Sequence, residues 1–315
     1  MNFPDLMIRS ERSRFKSHLL TCLGGEWPEP CPLNPRVVEK IQREDHTLEK
    51  VEYQVEPGEC VTSYVLVPNK PICAPTPAIA VWHQHNGEHQ FGKSEPAGLM
   101  GSPIHHTGVA LVQEGYIVIC PDAIAFEERR DSTKKNLDCE RFIFQNYLMR
   151  GKSLIWKNIL DMRRAVDYLS SREDVDKDRI GCYGHSLGST FGWMVAPWED
   201  RLKCIVGNCC LPTYEAMENE KIVHSFSNYV PGLFQFGDTP EIVSLIAPRP
   251  LHLNFGELDA GNPINAVKEA LRRIANVYKS SDASENFSYL IEQGVGHTLT
   301  ARMWEEAKAK FQKHL

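Results

Sequence analysis

The chain has 315 residues, 42% hydrophobic and 24% charged, which is typical of a globular protein and suits one large domain with insertions. Its 41 acidic and 35 basic residues give a formal charge of −6 and are mixed along the chain, which excludes the clustered Lys and Arg of a nucleic-acid groove. No stretch approaches the roughly 18 unbroken apolar residues of a membrane span, and the N-terminal segment lacks the apolar core of a secretory signal. We therefore expect a cytoplasmic protein with neither membrane nor nucleic-acid partners.

The N-terminal part of the sequence predicts an extension that wraps around a catalytic domain. Residues 1–46 are expected to form a helical extension packed on the core, with one helix over 11–23 and a short second helix over 36–43. The Pro-rich stretch 27–35 between them is irregular. Residues 47–315 are predicted to form a single catalytic domain.

The catalytic domain begins with a hairpin pattern and continues with alternating strands and helices. Two alternating runs, 47–55 and 60–67, flank a Pro-Gly turn and predict an antiparallel hairpin. The mostly continuous apolar runs that follow lie at 78–85, 116–120, 179–183, 204–209, 251–255 and 287–291. Amphipathic stretches separate them, most clearly 153–171, and a final helix is predicted over 300–314. This order indicates an α/β fold whose sheet is mostly parallel and flanked by helices.

Two connections are longer than a crossover between parallel strands requires. They span residues 123–152 and 211–239. Long connections at strand ends usually carry function or cover a site. We expect both segments to form parts of a lid over the pocket.

A Gly-x-Ser-x-Gly element directly follows an apolar strand and precedes a helical pattern. It comprises Gly184, His185, Ser186, Leu187 and Gly188. A nucleophile on a sharp strand-to-helix turn needs small neighbours, and this context is the one that the motif requires. Ser186 is therefore the predicted nucleophile; the alternative is a serine that merely caps a helix in a glycine-rich turn.

A serine hydroxyl needs a base to accept its proton and an acid to orient that base. In α/β hydrolases the acid and then the histidine follow the serine along the chain. Asp259 follows one later strand and His297 follows another, so we predict Asp259 as the acid and His297 as the base. Glu257 is the alternative acid, and His297 could instead be a surface histidine.

The oxyanion donors are expected to be backbone amides. Leu187, directly after the nucleophile, supplies one, and the loop after the strand at 78–82 supplies the other. We favour the amide of His85, with Gln84 and Asn86 as alternatives. Three residues of this loop are also candidates to contact substrate at the rim of the pocket: His83, Gln84 and Asn86.

Two arginines and a group of histidines permit other interpretations. Arg129 and Arg130 could bind a substrate carboxylate, or could form ordinary surface ion pairs with neighbouring glutamates. Residues His83, His85 and His89 could offer imidazoles to a metal, with two further histidines at 105 and 106, but no clear acidic cluster accompanies them in the sequence. No metal site is predicted.

Five segments carry a resemblance to a known family. HQHNG, PDAIAFEERR, GHSLGS, GELD and GVGH resemble the dienelactone-hydrolase-like and acetyl-xylan-esterase-like branch of the α/β hydrolases, from about residue 47 to the C-terminus. The resemblance implies a sheet of about eight strands, an acyl-serine intermediate at Ser186, the triad of Ser186, Asp259 and His297, and no cofactor. Dienelactone hydrolases proper use a cysteine nucleophile, and the acetyl esterases have His-Gly-Tyr-Asn-Gly where this chain has His-Gln-His-Asn-Gly.

These patterns together predict a serine-dependent carboxylic ester hydrolase that acts on a small-molecule ester. Acetyl and other short acyl esters are the candidate substrates. The alternatives are a peptidase, a metal-assisted hydrolase and a non-catalytic scaffold with a hydrolase fold. The sequence makes no prediction of the oligomeric state.

Overall fold

The strands of the chain form one nine-stranded sheet. The computed structural model describes residues 3–315, with side chains described from residue 10 onward. The strands are β1 (Arg36–Gln42), β2 (His46–Glu56), β3 (Glu59–Pro68), β4 (Thr76–Trp82), β5 (Ile117–Pro121), β6 (Val175–His185), β7 (Leu202–Asn208), β8 (Leu251–Gly256) and β9 (Phe287–Glu292). Their spatial order is β1-β2-β3-β5-β4-β6-β7-β8-β9.

The sheet has an antiparallel edge and a parallel body. Strands β1, β2, β3 and β5 pair antiparallel, whereas every pair from β5 through β4 to β9 is parallel. The predicted α/β fold, with a mostly parallel sheet and a hairpin at one edge, is confirmed. One strand was not foreseen: residues predicted as a short helix over 36–43 form β1, which adds to the edge of the hairpin.

Helices cover both faces of the sheet. They are α1 (Phe3–Leu23), α2 (Thr107–Gln113), α3 (Asn136–Met149), α4 (Leu154–Ser171), α5 (Leu187–Val195), α6 (Tyr214–Asn219), α7 (Thr239–Ser244), α8 (Ile264–Ser280) and α9 (Ala301–His314). None of them, in the described part of the chain, combines the length and hydropathy needed to cross a bilayer.

The alternation of side chains along β4 separates two apolar cores. Ala78, Ala80 and Trp82 belong to the larger core, which includes residues of α1, α4, α5 and α8. Ile79 and Val81 belong to the smaller core with residues of α2 and α9. Because successive side chains of a strand point to opposite faces, burial on both faces explains the continuous apolar runs of the sequence.

The longest buried helix, α4, shows how local sequence sets its boundaries. The hydroxyl of Ser153 accepts a hydrogen bond from the Trp156 amide at 3.3 Å and caps the first turn. Apolar residues recur at helical spacing, so one face packs on the sheet while α3 and α5 contact others. Lys157 and Asp161 are also buried on this helix, and they need partners there.

Arg129 supplies a partner for α4. Its Nη1 lies 2.7 Å from Asp161 Oδ2, and its Nη2 lies 2.8 Å from Glu59 Oε1. Lys157 Nζ lies 3.1 Å from the other Asp161 oxygen and 2.9 Å from Glu59 Oε2. These ion pairs tie α4 to the start of β3 and to the segment after β5. The predicted substrate role of Arg129 therefore does not fit the structure, because its guanidinium is buried against protein carboxylates.

Replacing Arg129 with Ala should lower the free energy of unfolding by roughly 3 kcal/mol, because Asp161 would lose one of its buried cationic partners. Arg130→Ala is the matched control, since Arg130 is exposed and should change stability by no more than about 0.5 kcal/mol. Urea unfolding followed by circular dichroism measures both. An Arg129→Ala protein of unchanged stability but with a raised KM for an anionic ester would restore Arg129 to substrate binding.

Candidate active site

Ser186 occupies a sharp turn between β6 and α5. Its backbone has φ 56° and ψ −119°, a left-handed conformation that a non-glycine residue adopts only at a cost. A Cβ at Gly184 would lie 2.0 Å from the carbonyl of Gly188, and one at Gly188 would lie 2.0 Å from the Trp82 carbonyl oxygen. The Ser186 amide donates to the Asn208 carbonyl at 2.7 Å. Both motif glycines are thus required by the close approach of β4, β6 and α5.

His297 connects the serine to a buried carboxylate. Its Nε2 lies 2.8 Å from Ser186 Oγ, and its Nδ1 lies 2.7 Å from Asp259 Oδ2. The imidazole is exposed, whereas Asp259 is buried. Glu257, the alternative acid, instead accepts a hydrogen bond from the Gly294 amide at 3.0 Å. Of the two acids considered, Asp259 is the one that meets His297.

The surroundings of Asp259 keep it ionised. Burial acts to raise the pKa of Asp259, but its hydrogen bond with His297 and the electrostatic attraction of that imidazole outweigh burial and lower the pKa below its ordinary value. The Gly261 amide and Asn262 Nδ2 donate to the carboxylate at 2.9 and 3.1 Å. Because an ionised carboxylate can only accept, His297 carries its proton on Nδ1, and Nε2 is free to accept the proton of Ser186.

The ring of a second histidine, His185, lies beside His297 and next to the ring of His105. His185, within the motif, is buried with its ring centroid 5.4 Å from that of His297 and 4.7 Å from that of His105. Burial and then the nearby His105 and His297 lower the pKa of His185 well below its ordinary value. Asn208 Nδ2 donates to His185 Nδ1 at 2.7 Å. His185 is therefore neutral and does not repel positive charge on His297.

The loop after β4 is fixed by its side chains. Ala123 N donates to His83 Nε2 at 3.0 Å, so the proton of His83 lies on Nδ1, which donates to the Gln84 carbonyl at 2.8 Å. Gln84 Nε2 donates to both carboxylate oxygens of Glu95, at 3.1 and 3.0 Å. Both side chains are buried and neither lines the cleft at Ser186. The structure therefore places His83 and Gln84 outside the lining of the cleft, where their side chains hold the loop.

The cleft at Ser186 has a volume of about 360 Å³. Its lining residues are His85, Asn86, Ser186, Leu187, Cys210, Val223, His224, Ser225, Asn228, Asp259, Ala260, Gly261, Asn262 and His297. Of the predicted lid segments, 211–239 contributes to this lining and 123–152 does not. The lining includes no Lys or Arg of the described chain, so Arg130, like Arg129, lies outside it.

His85 lines the cleft and also belongs to a cluster of side chains with the spacing of metal ligands. His85, His89 and Glu140 are the one such group of three within the described residues, and their ligand atoms lie within 4.8 Å of one another. Glu140 was not foreseen because it lies 55 positions from His85. The Gly87 amide donates to His85 Nδ1 at 2.9 Å, so the proton of His85 is on Nε2, the nitrogen that faces Glu140. As arranged, His85 donates to a carboxylate and offers no lone pair to an ion there.

Comparisons by sequence give a family and a relative for this chain. A model of the Abhydrolase family matches residues 26–297. A curated relative, "Putative hydrolase YtaP" of Bacillus subtilis strain 168, is 31% identical over 314 residues, which cover 98% of this chain and 100% of the relative.

Solved structures also share the fold. One is described as a putative acetyl xylan esterase from Bacteroides fragilis NCTC 9343, with a TM-score of 0.75 at 20% identity, covering 91% of this chain and 76% of that one. Another is a glucuronoyl esterase from Solibacter usitatus, with a TM-score of 0.68 at 15% identity, covering 96% and 91%. At these identities the likeness establishes a common architecture.

Acidification should destabilise the protein through His83. Burial, the largest effect, lowers the pKa of His83 to about 4, below its ordinary value of 6.5. The unfolded chain therefore binds the proton first, and stability should fall as the pH drops from about 6.5 to about 4. Urea midpoints measured across this range, for wild type and His83→Gln, test the assignment. A pH dependence that is identical in both proteins would show that His83 does not contribute to it.

Proposed function

Because this chain belongs to the Abhydrolase family, we propose that it hydrolyses carboxylic esters through an acyl-serine intermediate at Ser186. The predicted membership of the α/β hydrolases is confirmed by the family match, and the esterases among its structural neighbours agree with the predicted reaction class. The observation that carries the proposal is the position of His297, whose Nε2 lies 2.8 Å from Ser186 Oγ and whose Nδ1 lies 2.7 Å from Asp259 Oδ2.

The proposed reaction proceeds in two halves. His297 Nε2 accepts the proton of Ser186 as Oγ attacks the ester carbonyl, and Asp259 stabilises the imidazolium that forms. Collapse of the tetrahedral intermediate breaks the bond to the leaving alcohol, which takes the proton from His297. Water then attacks the acyl-serine while His297 accepts its proton; the bond between the acyl carbon and Ser186 Oγ breaks, His297 returns the proton to Oγ, and the acid leaves.

Backbone amides are proposed to hold the oxyanion. Leu187 is the first residue of α5, so its N–H belongs to the first turn, where amides have no acceptor within the helix. His85 lines the same cleft from the loop after β4 and is proposed to supply the second donor. Next to it, Asn86 at φ 48° and Gly87 at φ 68° are consecutive left-handed residues, a sharp turn that brings this backbone to the cleft.

The lining of the cleft favours small, uncharged esters. His224, Ser225, Asn228 and Asn262 are polar and can hydrogen-bond an alcohol or a carbonyl, while no Lys or Arg is present in the described lining to bind a carboxylate. Few of the lining side chains are apolar, Val223 being the largest of those that are exposed. Acetyl and other short acyl groups are therefore the proposed substrates.

A cytoplasmic location is also proposed. All ten cysteines of the chain are free thiols, and six of them are buried. Unpaired cysteines in this number are typical of a reducing compartment.

Ser186→Ala should abolish both hydrolysis of p-nitrophenyl acetate and labelling by a fluorophosphonate, because each requires the serine oxygen. Asp259→Asn should lower kcat by a factor on the order of 10⁴, since the amide no longer holds His297 in the required tautomer. Glu257→Gln is the matched control and should stay close to wild type. Stopped-flow or absorbance assays of p-nitrophenol release measure all three.

Two results would contradict the assignment. A nearly inactive Glu257→Gln protein beside a normal Asp259→Asn protein would transfer the role of acid to Glu257. Full turnover by Ser186→Ala, lost on addition of a chelator, would replace the serine mechanism with a metal-assisted one. Circular dichroism of each variant separates loss of chemistry from loss of fold, and a p-nitroanilide tested in parallel measures any peptidase activity.

The charge and length of the acyl group should both affect the rate. Along the p-nitrophenyl series from acetyl to octanoyl, kcat/KM should fall by about tenfold or more, because a cleft of about 360 Å³ has few apolar side chains to contact a long chain. The hemisuccinate ester should be hydrolysed more slowly than the uncharged butyrate, which has the same number of acyl carbons. If the octanoyl ester is hydrolysed faster than the acetyl ester, or the hemisuccinate faster than the butyrate, the substrate must bind to residues outside this cleft.

A further inference from the structure

We propose that Glu140 of α3 is a positioning residue for catalysis: it holds His85, and through His85 the loop that supplies an oxyanion donor. The inference rests on the proposed esterase function and adds to it a residue that does not touch the substrate. Glu140 is absent from the lining of the cleft, whereas His85 is part of it.

The contacts of Glu140 are those of a buried anchor. Its side chain is completely buried, and a single oxygen, Oε2, lies 2.8 Å from His85 Nε2 and 3.1 Å from His89 Nε2. The described part of the chain brings no Lys or Arg to this carboxylate, and its Oε1 has no hydrogen-bond partner there. A buried carboxylate held by imidazoles alone costs stability, which is a feature of sites selected for function.

The direction of each hydrogen bond leads from α3 to the loop. Since Gly87 N–H donates to His85 Nδ1, the imidazole of His85 must donate from Nε2 to Glu140. Both ring nitrogens of His85 are therefore hydrogen-bonded, Nε2 to the Glu140 carboxylate and Nδ1 to the amide of Gly87, a left-handed residue of the same loop. Fixing this ring fixes the orientation of the peptide units around His85.

The charge state of Glu140 suits this role. Burial acts to raise its pKa, but the hydrogen bonds from His85 and His89, together with the electrostatic attraction of these imidazoles, outweigh it and lower the pKa of Glu140 to about 2. The carboxylate thus remains an acceptor at any pH used for assay. His89 Nε2 shares the same oxygen, and its ring stacks on Phe126 at 4.7 Å, so the anchor is itself packed in place.

Loss of such an anchor should affect the transition state more than substrate binding. An oxyanion donor acts only when it lies at hydrogen-bond distance from the oxygen as charge develops, and a displacement of a few tenths of an ångström weakens it. The Ser186, His297 and Asp259 contacts do not involve Glu140. Proton transfer should therefore continue unchanged while the oxyanion is less well stabilised.

The test compares wild type, Ser186→Ala, Glu140→Gln and His85→Ala with p-nitrophenyl acetate. Glu140→Gln keeps the volume but removes the charge, so a neutral amide oxygen accepts from the two imidazoles more weakly and an NH₂ group is buried where Oε1 has no partner. We expect kcat to fall by about 10- to 100-fold with KM within about threefold. The pH midpoint of kcat should stay that of wild type, because His297 is untouched. Fluorophosphonate labelling should slow by a similar factor.

Glu49→Gln is the matched control. Glu49 is also a nearly buried carboxylate, on β2, but it pairs with Arg172 and Lys40 and takes no part in the cleft. It should lose stability without loss of kcat. If Glu140→Gln does not fold, His85→Ala must show the same fall in kcat; His85 is partly exposed, so this variant should fold. If both variants fold, the double variant should be no slower than the slower of the two single variants.

Each outcome bears on a defined claim. Normal kcat in Glu140→Gln or in His85→Ala, while Ser186→Ala is inactive, would overturn the role of Glu140 and leave the esterase intact. Equal turnover by wild type and Ser186→Ala would overturn the proposed function and this inference with it. One equivalent of zinc in the purified protein, lost in Glu140→Gln, would replace positioning by metal ligation.

Discussion

The closeness of backbone segments at the carboxyl edge of the sheet determines where every group of the site can lie. Ser186 can adopt its left-handed turn because Gly184 and Gly188 allow β4, β6 and α5 to approach to distances that no Cβ permits. The same condition recurs on the other side of the cleft, where a Cβ at Gly256 would lie 2.1 Å from the carbonyl oxygen of Gly296. That second approach brings the loop of His297 across the end of β8. These close approaches at glycines thus set the separation of the proposed nucleophile and base.

Electrostatics reinforces what the backbone geometry arranges. Asp259 is the one carboxylate among the described residues that line the cleft, and its donors keep it ionised. The ring of His185 lies beside His297, and the ring of His105 lies next to His185; the pKa of each is lowered, first by burial. The imidazolium that forms during the proposed reaction therefore faces a single negative charge and no competing positive one, an arrangement that favours proton transfer from Ser186.

The sequence was sufficient to predict those parts of the fold and the candidate site whose signals lie in neighbouring residues. The strand, the glycine-flanked serine and the helix after it occupy consecutive residues, and Asp259 and His297 each follow directly on a recognisable strand. The strand β1 was missed because nearly all its side chains are exposed, so it lacks the alternation that identifies a half-buried strand.

Long-range partners and the exact end of a strand escaped prediction. Strand β4 ends at Trp82, so the rule that residues i and i+2 share a face no longer applies to His83 and His85. His83 meets the Ala123 amide in the interior, and His85 meets Glu140 beside the cleft. For Arg129 the neighbouring glutamates suggested a surface pair, the alternative to a substrate contact, yet its partners are Asp161 and Glu59, remote in sequence.

The two long connections therefore make different physical contributions, although both were expected to form a lid. The segment 123–152 contains Arg129 and Glu140, and both side chains point into the protein, one to α4 and the other to the loop after β4. The segment 211–239 supplies four residues to the lining of the cleft. Under the proposed function, changes in the first segment should alter the stability of the frame and the alignment of the proposed oxyanion donors, whereas changes in the second should alter the fit of the substrate. Specificity and rate should then be separable, because the residues proposed to affect them lie on different connections.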